Sequence, residues 1–90
     1  MYAVVVKVSI GDPEKAQQGL REQVIPRVKQ APGFVAGYWT RSEGGDDGLS
    51  IVVMETEDAA RQAAQQLRAG GAPETVTIES VEVREVVEHA

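Results

Sequence analysis

The chain has 90 residues, 42% of them hydrophobic and 26% charged, as expected for one folded domain spanning 1–90 and not for extended disorder. Its net charge is −5 and its nine Lys and Arg residues are scattered, which argues against nucleic acid and against an anionic membrane surface as partners. It has no Cys, so disulfides, thiolate catalysis and Cys-ligated metals are excluded.

The first segment, Tyr2 to Ile10, is rich in Val and Ile and free of Gly and Pro, and reads as a strand. It is too short and lacks the basic lead of a signal peptide, and nothing approaches a membrane span, so the expected location is cytoplasmic. Asp12 can cap a following helix with Pro13 at its first position. That helix is expected from about Pro13 to Gln30, with Ala16, Leu20, Val24 and Val28 forming an apolar stripe. Pro26 falls inside it and predicts a kink or a break, and Pro32-Gly33 ends it.

Phe34 to Arg41 reads as a second strand and Leu49 to Glu55 as a third, joined by a hairpin loop over Ser42 to Gly48. Thr56 is the expected cap of a second helix, about Glu57 to Ala69, whose inner face is mostly Ala. Gly70-Gly71 closes it and Pro73 prevents a restart. Thr75 to Val87 alternates as a fourth strand. Its phase slips near Ser80 and again near Val86-Val87, which predicts a bulge or bend.

The order β-α-β-β-α-β gives an α+β, ferredoxin-like fold, an antiparallel sheet with two helices on one face. The strands do not alternate cleanly between apolar and polar. The first carries Val4, Val6 and Val8 on one face and Ala3 and Val5 on the other; the third sets Leu49, Ile51 and Val53 against Val52 and Met54. Two helices cover one face only, so the other needs a cover, and a second copy of the same sheet is the economical one. The expected partner is a homodimer through sheet faces.

The segments APGFVAGYW (Ala31 to Trp39), SIVVMETEDAARQAA (Ser50 to Ala64) and VEVREVV (Val81 to Val87) together resemble the dimeric α+β-barrel superfamily, in its antibiotic-biosynthesis-monooxygenase-like branch. The resemblance implies two subunits packed sheet to sheet, each with a pocket between sheet and helices or within the barrel. It implies a cofactor-free monooxygenase-like enzyme acting on a small aromatic or polyketide-like molecule, with no cofactor; the alternative is a non-catalytic small-ligand-binding or structural dimer. The haem-degrading branch is similar in fold and carries an Asn on the first strand, a Trp before the second helix and a His ligand. This chain has no Asn, places Met54 at the Trp position, and has its one His, His89, at the tail.

Matching Met54 in this way puts Met54 and Val52 on the pocket side of the third strand. Phe34, Ala36 and Tyr38 are expected on that side of the second, and Val6 on that side of the first. Trp39, a neighbour of Tyr38, is then expected to point towards the helices. Phe34, Tyr38, Val52, Met54 and Val6 are thus the pocket candidates, with Trp39, Arg41 and Lys7 secondary. The alternative for all the apolar ones is plain core or interface packing. Arg41 or Lys7 could bind an anionic group or a phenolate. No residues are expected to hold a metal, and no pair of carboxylates is placed for acid–base work.

Overall fold

The computed structural model describes residues 1–70 and 76–90. Four strands form one antiparallel sheet in the order β2-β3-β1-β4: β1 (Tyr2–Ile10), β2 (Phe34–Arg41), β3 (Asp47–Met54) and β4 (Val76–Glu85). β1 and β3 are central, and their Val-rich sequences suit positions paired on both edges. With the helices this is the ferredoxin-like α+β fold.

The first helical region is not continuous. It is α1 (Pro13–Gly19), a π-helical turn (Leu20–Val24) and α2 (Ile25–Lys29). Pro26 explains the interruption, because it brings no N–H to the helical ladder and its ring crowds the carbonyl of Glu22. The turn widens just ahead of it: the Ile25 N–H donates to the Leu20 carbonyl, five residues back. The caps form as their sequences predict. Asp12 accepts from the Lys15 N–H at 3.2 Å, and Thr56 accepts from the Ala59 N–H at 3.1 Å to start α3 (Glu57–Arg68). Gly33 has φ +85°, and its carbonyl accepts from the Glu55 N–H at 2.7 Å, which locks the entrance of β2 against the exit of β3. Gly70 has φ +103° after α3. The expected contributions of Gly71, Pro73 and Thr75 lie outside the described residues.

The core sits between the sheet and α3. Val4, Val6, Val52 and Met54 from the central strands meet Ala60 and Ala64, all of them buried. The small alanine face lets α3 lie close to the sheet, and Met54, at 1% exposure, fills the space beneath it.

Two bulges set which residues face the helices. On β4, Ser80 pairs with Lys7 and Ile78 with Val8, so Glu79 is an extra residue and the apolar phase moves from Val81 to Ile78. The sequence slip near Ser80 predicts this one. On β2, Phe34 pairs with Met54 but Ala36 with Val53, so Val35 is the extra residue. Phe34 therefore shares the Met54 face, whereas Ala36 and Tyr38 turn to the opposite one. This corrects the expectation that Phe34, Ala36 and Tyr38 lie on one side.

Candidate functional site

Between the sheet and the helices lies a cavity of about 380 Å³. Its floor is the inner face of the sheet: Val4, Val6 and Val8 of β1, Ser50, Val52 and Met54 of β3, and Ile78 of β4. Its roof comes from the first helical region, through Leu20, Val24 and Val28, and from Ala63 and Leu67 of α3. The apolar stripe of the first helix thus covers a space as well as a core.

Trp39 forms the wall at the β2 edge. It pairs with Ser50, two residues from the Gly37–Val52 pair, so Gly37 and Trp39 share the cavity face. The indole folds back over Gly37: a Cβ placed there would come within 2.5 Å of Cη2 and 2.7 Å of Cζ3. The backbone of Gly37 is not in the left-handed region, so the glycine serves the close approach of the ring.

Three of the five pocket candidates, Val6, Val52 and Met54, line this cavity together. Phe34 packs against the same core without lining the cavity. Tyr38 is on the other side of the sheet, paired with Ile51 and 62% exposed, because the Val35 bulge reverses the phase of β2. Among the secondary candidates, Trp39 faces the cavity. Lys7 is exposed on the outer sheet face, paired with Leu49 and Ser80. Arg41 borders a second, shallower groove together with Arg21, Gln17 and Pro13. This groove and the cavity share the lining residues Ile10, Ala16, Leu20, Trp39 and Thr40, so they adjoin.

Four polar residues at the cavity escaped the sequence reading: Thr40, Ser50, Gln66 and Arg27. Ser50 could have been found by parity, two positions from Val52. Arg27 and Gln66 stand beside apolar stripes on helices, and their direction depends on the π-helical turn and on how α3 docks.

No carboxylate, imidazole or phenol lines the cavity among the described residues. Nor do three His, Asp or Glu side chains come together among them as a metal set. The Tyr2 phenol is held above its ordinary value, first by the charge of Glu85, whose carboxylate accepts its O–H at 3.4 Å, and then by Glu57. Tyr2 belongs to the far end of the sheet and not to the cavity lining.

No family model and no curated protein matches the chain. Solved structures do. SnoaB, a cofactor-independent oxygenase from Streptomyces nogalater, has a TM-score of 0.77 at 18% identity, covering 98% of this chain and 94% of that one. A dimeric ferredoxin-like protein from an uncultured marine organism has a TM-score of 0.62 at 7% identity, covering 100% and 98%. The haem degrader MhuD from Mycobacterium tuberculosis, which holds two haems in its active site, has a TM-score of 0.55 at 23% identity, covering 97% and 98%. The chain has the ferredoxin-like α+β fold of this oxygenase-containing group, as its resemblance to the antibiotic-biosynthesis-monooxygenase-like branch implies.

Proposed function

We propose that the cavity takes a small aromatic or polyketide-like molecule, and that the protein oxidises it as a cofactor-free monooxygenase-like enzyme, a cytoplasmic homodimer joined through sheet faces. The observation that carries this reading is the cavity itself: about 380 Å³, walled by one indole and by aliphatic side chains, with few polar groups. Sites for small organic ligands have this character. The likeness to SnoaB supports the oxygenase part at the level of fold, which is an analogy.

In such a reaction an activated CH₂ gives up two hydrogens to dioxygen, yielding a ketone and water, so the substrate supplies all the electrons. Among the described residues the lining offers no base, so the reading takes a substrate acidic enough to ionise by itself. The guanidinium of Arg27 favours the anion. The apolar walls keep bulk water away from it. A non-catalytic binder is the second reading, favoured by that missing base.

Trp39 is the only Trp in the chain and forms a cavity wall, so its fluorescence reports occupancy directly. Titration with hydroxyanthrones and hydroquinones, with oxygen uptake followed, is expected to give saturable quenching and saturable uptake. Quenching without uptake leaves the binder. A flat response across the panel overturns both readings. Hemin is the contrasting probe: the sole His, His89, lies beyond β4, so no imidazole lines the cavity for a haem iron. A tight stoichiometric Soret band would replace the small-aromatic reading with a haem one.

A further inference from the structure

The charged residues around this space are of one sign. The chain has 14 Asp and Glu against 9 Lys and Arg, yet the charged residues lining the cavity and its adjoining groove, among the described residues, are Arg27, Arg21 and Arg41. None of the three makes an ion pair among the described residues; the pairs there are Arg61 with Glu57 and Arg84 with Glu82. They come from three separate elements, α2, the π-helical turn and β2, and all three are exposed. Arginine at such a rim lays its methylene stem along apolar surface and keeps its guanidinium in water, where it can fork onto a carboxylate.

We infer that the ligand is an amphiphilic anion: an aromatic body in the cavity and a carboxylate held at the groove by Arg21 and Arg41, with Arg27 at the cavity adding to the positive field. This rests on the cavity being a ligand site. An apolar body alone would need no positive rim, and in an acidic protein an uncompensated rim of this kind selects against neutral ligands of the same shape.

A matched pair of probes tests it on the whole protein: 1-naphthylacetate and its neutral amide, compared by calorimetric titration. The acid is expected to bind about tenfold tighter at low salt, as a charge-assisted hydrogen bond allows. The advantage should shrink as salt rises and vanish in the double variant Arg21→Gln/Arg41→Gln, while the amide binds that variant as it binds the native chain. Unchanged amide binding also shows that the variant is folded. Equal binding of acid and amide, or an advantage that survives in the variant, overturns the anionic ligand and leaves the cavity reading standing. Binding of neither probe overturns both.

Discussion

At the scale of single residues, the site turns on the contact between Gly37 and Trp39. An alanine at position 37 has an allowed backbone but no room, since its methyl would sit 2.5 Å from the indole edge. Gly37→Ala should swing the ring into the cavity, shift the Trp emission maximum, and abolish quenching by the ligands that quench the native protein. Overpacking of this kind costs about 1–3 kcal/mol of stability, which urea denaturation followed by circular dichroism will measure. An unmoved emission maximum with ligand binding intact would mean that the ring does not depend on this glycine. The pairing is hidden in the sequence, where Gly37 reads as one more small strand residue. Only the position of the ring over it gives it a reason. Ser50 is the opposite case, since alternation alone places it with Val52 and Met54.

At the scale of elements, the chain's punctuation was readable because each signal is local. Asp12 and Thr56 cap through bonds three residues away, and Pro26 acts on its own turn. The two bulges divide by the same logic. Glu79 on β4 shows in the sequence because the apolar positions themselves slip from Ile78 to Val81. Val35 on β2 does not, because Phe34, Ala36 and Tyr38 continue a regular alternation that the backbone then breaks. That regular pattern is what misplaces Tyr38. The cap of α3 offers a test of how far the cavity roof depends on its helix. Thr56→Ala removes the acceptor for the Ala59 N–H and should cost about 1 kcal/mol, while Thr56→Ser, which keeps the oxygen, should cost little. Thermal melts of the two variants will show the difference; equal melts would mean that the Ala face, not the cap, holds α3 in place.

At the scale of the whole molecule, the sheet's outer face carries Val5, Ile51 and Val53, bordered by Leu49 and Tyr38. The charged pair Arg84–Glu82, at 2.7 Å, lies on the same face at the β4 edge, so the apolar patch is displaced towards β2 and β3. If a second copy covers that patch, Ile51→Glu will place a carboxylate between Val5 and Tyr38 and separate the subunits. Sedimentation should then give the monomer mass, and the melting temperature should lose its dependence on protein concentration, with helix and sheet signals retained. A native chain that sediments as a monomer at every concentration would remove the dimer. The Val35 bulge bears on this face and on the cavity face, because it sets the parity of Phe34 against the residues that follow. Loss of that one codon would restore plain pairing from Phe34 onward and leave Tyr38 on the outer face and Trp39 in the cavity, because the residues after the bulge already alternate in register with β3. In a lineage built on this fold, a single in-frame deletion at the start of this edge strand would thus be absorbed by the bulge, so the indole in the cavity and the phenol on the outer face keep their places while the chain changes length.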